Sequence, residues 1–442
     1  MNWKRKCMMT VLLLTLGAML CGCVMTVDGM YSLPRRSEGY HNLQTVMDPL
    51  MKDLEYAAPV SGRNQQTVQM ADLDGIGGEE VILFAKGSDE HPLKIFVFRK
   101  ENGRYSLMTA VESSGTVFDQ VEYVQMDGVP GLEMVVGRKV SDQVPASVCV
   151  YRFASGEAEQ MMSANYRKYL ICDLDQNQLG DLLLLTGAEA EQEYGVAERY
   201  VIESDVAVRS GVAKLSRPVD QLKRIMTGKL HGGQNAVFVA SAVDADAIVT
   251  DVFAMVDGVM TNVSLSSEAG TSVKTLRSYY VYADDIDQDG EMELPSLITM
   301  PDGAERSVTG GEHLIRWYSM TPDGGEVDKM YTYHNYLQGW YLELPEEFVR
   351  SVYVVPETAG GCVFSIWDEE TDTATKLWTV YAFTGEDRSA VAAEDGRFVL
   401  LKGDTVVYAS RLETAAMERG FSQDILEKAF HLIQLDWYTG EM

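Results

Sequence analysis

One acidic phrase recurs five times along this chain, beginning at Asp72, Gln125, Asp173, Thr227 and Asp285, so that successive copies lie 53, 48, 54 and 58 residues apart. The fullest copy is Asp285-Ile286-Asp287-Gln288-Asp289-Gly290-Glu291-Met292-Glu293. It sets side-chain oxygens at positions 1, 3, 5 and 9 and glycine at 6. Ca²⁺ takes six to eight oxygen ligands, and alternate carboxylates converge on such an ion when a glycine permits the sharp reversal between them. The expected calcium ligands are Asp285, Asp287, Asp289 and Glu293, with Glu291 contributing its carbonyl. An EF-hand needs a bidentate acid at position 12, where this chain has Ser296, and the following Leu294–Ile298 reads as a strand.

The other copies keep the frame and lose chemistry by degrees. Asp72, Asp74 and Glu80 retain positions 1, 3 and 9 with Gly77 at 6, ahead of the strand-like Val81–Phe84. Asp173, Asp175 and Asn177 retain the first three ligands and Asp181 the last, with Gln178 in place of the glycine. The copy at Gln125 keeps Asp127, Gly131 and Glu133, whereas the frame from Thr227 to Asn235 puts Lys229 at a ligand position. Affinity for a cation is expected to follow the number of acids retained.

A near-constant period of this length, with several short strands in each unit, marks a propeller or solenoid. One unit decides between them: Val81–Lys86, Leu93–Arg99, an Asn102-Gly103 turn, Tyr105–Val111, and Phe118–Met126 entering the next loop. Four antiparallel strands per period make a blade. With these loops and this period, the chain resembles the FG-GAP or VCBS-type repeat family, integrin-like propellers with a D-x-D-x-D-G-x-x-[DE] loop between neighbouring strands. The resemblance covers roughly residues 66–345 and implies a mainly β fold, a β-propeller of about five four-stranded blades or, as the alternative, six or seven, with structural calcium.

The amino-terminal segment sets the compartment. Lys4-Arg5-Lys6 precedes an apolar stretch, Met8–Leu20, too short to span a bilayer and suited to a signal-peptide core. Leu20-Cys21-Gly22-Cys23 resembles a bacterial lipobox, which implies cleavage before Cys23 and diacylation of its thiol. Two acyl chains anchor stably where one does not, so the mature chain is expected outside the cytoplasm and tethered to the membrane. The expected organisation is a signal peptide (1–22), a tether (23–45), the propeller (46–345) and a carboxy-terminal α+β module (346–442). In that module a run of strands, the last read as Phe398–Tyr408, precedes a helix capped by Ser422.

Charge and cysteine content narrow the partners. The chain carries −29, and removing the three cations of residues 1–22 leaves −32, a surface that repels nucleic acid and anionic headgroups. Cys149, Cys172 and Cys362 remain after processing; an odd count closes no disulfide framework, and buried thiols are expected. The six histidines show no metal-ligand spacing, and no nucleophile elbow, phosphate loop or dinucleotide fingerprint occurs. The aromatic run Tyr331, Tyr333, His334, Tyr336, Trp340 and Tyr341 reads as strand core rather than as a sugar-stacking platform. Every motif with specific spacing is structural. The sequence thus points to a non-enzymatic recognition or scaffold protein for a cell-wall glycan or protein ligand. The alternative is an envelope glycan hydrolase or lyase using carboxylates at the propeller channel.

Overall fold

The computed structural model describes residues 38–434, apart from 142, 188–193, 280, 301–311 and 358–359. Cys23, the signal segment and the tether up to residue 37 lie outside the described residues.

The architecture is mainly β: six antiparallel sheets follow one another along the chain. Sheet 1 comprises β1 (Glu55–Tyr56), β2 (Val68–Ala71), β3 (Glu80–Lys86), β4 (Leu93–Glu101) and β5 (Arg104–Ser113). Sheet 2 comprises β6 (Val117–Val124), β7 (Glu133–Lys139), β8 (Ala146–Arg152) and β9 (Glu159–Tyr166). Sheet 3 comprises β10 (Lys168–Cys172), β11 (Asp181–Gly187), β12 (Gly195–Glu203) and β13 (Val206–Lys214). Sheet 4 comprises β14 (Leu222–Lys229), β15 (Asn235–Ala242), β16 (Ile248–Val256) and β17 (Val259–Asn262). Sheet 5 runs through β18 (Glu293–Ile298), β19 (Glu312–Met320), β20 (Glu326–Asn335) and β21 (Trp340–Glu343). Sheet 6 follows with β22 (Val352–Pro356), β23 (Gly361–Asp368), β24 (Thr373–Thr384), β25 (Phe398–Lys402) and β26 (Val406–Leu412).

The strand that follows each loop is apolar on both faces because both faces are covered, by neighbouring sheets on either side in sheet 3 and by sheet 2 and helix Glu38–Leu50 in sheet 1. Val81–Ala85 and Leu182–Leu185 are both fully buried runs, where a sheet with one wet face would alternate. The fourth strands, such as β5, carry exposed residues. Apolar cores lie between successive sheets: Phe84 of sheet 1 meets Phe118 of sheet 2 edge-on at 5.1 Å, and further clusters join sheets 2 to 3, 3 to 4, 4 to 5 and 5 to 6. Among the described residues, no apolar cluster joins sheet 6 back to sheet 1. Helix α1 (Glu38–Leu50) lays Leu43, Val46, Met47 and Leu50, one helical face, over Val81, Leu83, Phe96 and Phe98.

Residues 346–434 hold a full sheet together with four short helices: α2 (Glu346–Val349), α3 (Arg388–Val391), α4 (Thr414–Glu418) and α5 (Gln423–Ala429). The segment Phe398–Tyr408, expected as one strand, is a hairpin instead. Gly403 donates its N–H to Val406 at 2.9 Å and turns the chain, so that β25 and β26 pair antiparallel. Ser422 caps α5 by accepting from Ile425 N–H, and β27 (Phe430–Leu432) then returns to pair with β21 of sheet 5. The aromatic run is core: Tyr333, His334 and Trp340 have no exposed surface. The three described cysteines are free, Cys149 and Cys362 buried and Cys172 partly so.

Candidate functional site

The recurring loops join β2 to β3, β6 to β7 and β10 to β11, and in sheet 5 the loop leads from a single bridge at Asp284 into β18; one hydrogen bond recurs in each. The closing acid turns back and accepts from the N–H at position 2: Glu80 from Leu73 at 3.0 Å, Glu133 from Met126 at 2.7 Å, Asp181 from Leu174 at 2.9 Å and Glu293 from Ile286 at 3.1 Å. The position-2 residue is apolar and buried every time, which pins the loop to the core beneath it. The loops at Asp72, Asp173 and Asp285 also share a backbone path, with left-handed residues at positions 4 and 6: Gly75 and Gly77, Gln176 and Gln178, Gln288 and Gly290. Two of these copies place glutamine where glycine is favoured, as the surrounding turn demands. In the copy at Gln125, Pro130 holds position 6 and the second left-handed residue moves to Gly131.

The loops also hold one another. The position-1 carbonyl of one accepts an N–H from position 8 of a following one: Leu132 to Asp72 at 2.9 Å, Gly180 to Gln125 at 2.7 Å and Met292 to Lys229 at 2.8 Å. This last bond corrects the frame read from the sequence at Thr227. Strand β14 runs on through Lys229, so Lys229 occupies position 1, buried Leu230 position 2, and Asn235 the closing position. That loop is two residues shorter than the others and closes through Leu230 N–H on the Gln234 carbonyl.

Three loops carry an arginine from within the chain. The Val81–Phe98 and Met134–Tyr151 registers set Arg99 across from Glu80 and Arg152 across from Glu133. Arg99 pairs with Asp74 and approaches Glu80 at 3.9 Å. Arg152 pairs with Asp127 at 2.9 Å and with Asp205 at 2.7 Å. Arg199 of β12 donates to Asp175 and, at 2.7 Å, to Asp181. No sequence motif flagged these arginines, although the spacing was there: they follow the closing acids by 19, 19 and 18 residues. In sheet 5 the residue paired with closing Glu293 is Ser319, whose hydroxyl donates to Glu293 at 2.7 Å.

The expected metal ligands therefore divide. Asp285, Asp287 and Asp289 bring carboxylate oxygens within 4.8 Å of one another. Asp285 Oδ1 is buried with no hydrogen-bond partner, and burial, with Asp289 and Asp285 alongside, raises the Asp287 carboxyl above its ordinary range. These are the features of a site fit for a hard cation. Glu291 points its side chain elsewhere, to His231 at 3.0 Å, Gly232 N–H at 2.8 Å and Lys329 at 2.8 Å. Although burial opposes it, these donors bring its carboxyl down to about 2. Lys329 also pairs with Asp289. Glu293 spends its two oxygens on Ile286 N–H and Ser319 and stands outside the cluster; burial pushes its carboxyl up to about 7. Asp72, Asp74 and Glu80 are equally clustered, as are Asp173, Asp175 and Asp181, but Arg99 and Arg199 already sit on two acids of each set. Asn177 does not join the second set: its side chain caps Leu179 N–H at 2.7 Å.

A cavity of about 850 Å³ opens where the first strands of sheets 2, 3 and 4 (β6, β10 and β14) come together with Ser61–Arg63 and with Asp284 beside the Asp285 loop. Its wall carries Arg63, Lys168, Lys223 and Arg224 against only two acids, Glu122 and Asp284. In a chain of net charge −29, the local balance is reversed. Burial raises the Glu122 carboxyl, an effect that Gln120 and Arg63 oppose. A second recess of about 290 Å³, between β10 and β14, adds Lys229.

No protein-family model matches this sequence, and no curated protein does. Similar solved structures include the exotype rhamnogalacturonan lyase YesX, 10% identical with a TM-score of 0.33 over 74% of this chain and 65% of that one. The rhamnogalacturonan lyase YesW is 11% identical, with a TM-score of 0.34 over 73% of this chain and 64% of that one. The rhamnogalacturonan lyase of Bacillus licheniformis is 11% identical, with a TM-score of 0.32 over the same shares. This chain thus spans 64–65% of the length of each lyase. Likeness at this level leaves function to be argued from the chain's own residues.

Proposed function

We propose that this chain is an extracytoplasmic recognition or scaffold protein, tethered to the membrane through a lipid on Cys23, whose sheets are the blades of a β-propeller. The observation that carries this reading is the convergence of β6, β10 and β14, the first strands of three successive sheets, on one cavity. Blades arranged around an axis present their innermost strands to a central channel in this way. Six sheets then stand as six blades, one more than the period of the loops suggests. Calcium is a structural ion in this reading, taken by Asp285, Asp287 and Asp289, while arginines serve in its place in the loops at Asp72, Gln125 and Asp173. Among the described residues no helix is long and apolar enough to cross a membrane; in this reading the acylated cysteine is the attachment.

The cavity serves binding: a concave site of this volume lies within the usual range for small-ligand sites, and its partner is a cell-wall glycan. A second reading, an envelope glycan lyase or hydrolase, draws on Glu122 and Asp284 in the same wall, where burial raises the Glu122 carboxyl toward proton-transfer duty. A glycan and peptidoglycan array scored for both retention and product separates the two. Retention without product supports recognition; product formation transfers the cavity to the second reading.

A further inference from the structure

The charge of the cavity says which glycan. Arg63 lies between β1 and β2, Lys168 opens β10, and Lys223 and Arg224 lie on β14, so the four cations reach one cavity from three directions. Arg63, Lys168 and Lys223 are exposed, and among the described residues no carboxylate is ion-paired with any of the three. Arg224 lies 5.4 Å from the ring centre of Tyr282, which orients its guanidinium. Arg63, Lys168 and Lys223, gathered with Arg224 in one cavity on a protein otherwise strongly acidic, form a local well for negative charge. The long-range repulsion from the acidic surface is screened within about 8 Å at physiological salt, so a ligand that enters the cavity feels the cations next to it.

We propose that this cavity binds an anionic oligosaccharide, a short run of uronate sugars whose carboxylates pair with Lys168, Lys223, Arg63 and Arg224. This rests on the glycan-recognition reading above and deepens it. Cations spread around a cavity of about 850 Å³ match charges separated by uncharged, hydroxyl-bearing spacers. A single phosphate is a focused charge and is held by converging donors at one point. A nucleic acid needs a continuous basic track along an exposed face. Gln120 and Tyr123, also in the wall, supply an amide and an aromatic ring suited to a polyhydroxyl ligand.

The test is calorimetric titration of the processed chain with oligogalacturonate or oligoglucuronate of two to four units, a neutral oligosaccharide of equal length, and inorganic phosphate. The expected result is binding of the acidic oligomer alone, weakened by salt and weakened at least about tenfold in Lys168→Ala/Lys223→Ala. Both lysines are exposed, so the double variant should melt with the wild type. Neutral oligomer binding as tightly, indifferent to the double variant, overturns the charge assignment and leaves glycan recognition standing. Phosphate binding that displaces or matches the acidic oligomer overturns the saccharide assignment. Binding of no saccharide overturns this inference and the recognition reading together.

Discussion

Arg199 Nη2 lies 2.7 Å from Asp181 Oδ1, with both side chains at most 5% exposed, and Arg199 also pairs with Asp175. An arginine thus sits on the acids at positions 3 and 9 of a loop whose pattern suggests a divalent cation. Burial tends to neutralise Asp181, and the guanidinium opposes that. Arg199→Met leaves a buried carboxylate uncompensated, and the expected loss is about 3–5 kcal/mol of stability in chelator. Calcium, now free of competition at Asp173, Asp175 and Asp181, should restore part of it. Denaturation in chelator and in calcium measures both effects. A variant equally stable in the two conditions would show that these acids cannot take calcium even when vacated.

Asp287 and Asp127 occupy position 3 of their loops and should behave differently. Asp287 stands in the cluster with Asp285 and Asp289, so Asp287→Ala should abolish most of the calcium-dependent stabilisation, about 2.7 kcal/mol at a hundredfold excess over Kd. Asp127 has a side chain only 4% exposed and lies 2.9 Å from Arg152. Asp127→Ala should cost about 3 kcal/mol alike in calcium and in chelator. From the sequence alone, Asp127 looks dispensable because its loop is short of ligands; its burial against arginine reverses that expectation. Melting curves of both variants in each condition decide the matter.

The contrast shows which parts of the fold were legible. Period, loop frame and blade-like strand count are local: Asp285 to Glu293 lie within nine residues, and apolar runs such as Val81–Phe84 announce buried strands wherever they occur. The arginine partners depend on cross-strand register, set by the lengths of the hairpins that join the paired strands, so their recurrence carried a meaning only the paired sheet reveals. The frame at Thr227 slipped because that loop is two residues shorter, and its marks are buried Leu230 and the left-handed pair Gly232 and Gly233. The cavity gathers residues from 61 to 292, and no window of sequence brings its four cations together.

The anchor proposal depends on Cys23. Cys23→Ser removes the thiol that accepts the diacylglyceryl group, so labelled lipid should be lost and the protein should leave the membrane fraction or persist as precursor. Cys21→Ser should keep both labelling and membrane association. Identical behaviour of the two variants in a fractionation with lipid labelling would remove Cys23 as the anchor.

Glu133 gives the loops a pH dependence that can be read separately. Its side chain is buried, and burial, together with the nearby Asp127 carboxylate, pushes its carboxyl from 4.5 up to about 7, with Met126 N–H and Arg152 opposing. The folded state therefore binds a proton that the unfolded state releases between about pH 4.5 and pH 7. Stability falls as pH rises where the native state binds more protons. The contribution of Glu133 is thus fully present below about 4.5 and lost as pH climbs toward 7. Glu133→Gln keeps an acceptor for Met126 N–H, 2.7 Å away in the wild type, and cannot ionise. The variant should lose this part of the slope between pH 4.5 and 7, and its stability relative to wild type should improve steadily across that window. Chemical denaturation at half-unit pH intervals in chelator, where the Asp285 loop adds no calcium term, measures the difference. Parallel curves for wild type and variant would show that Glu133 is ionised throughout, held by Arg152 across the strand pair.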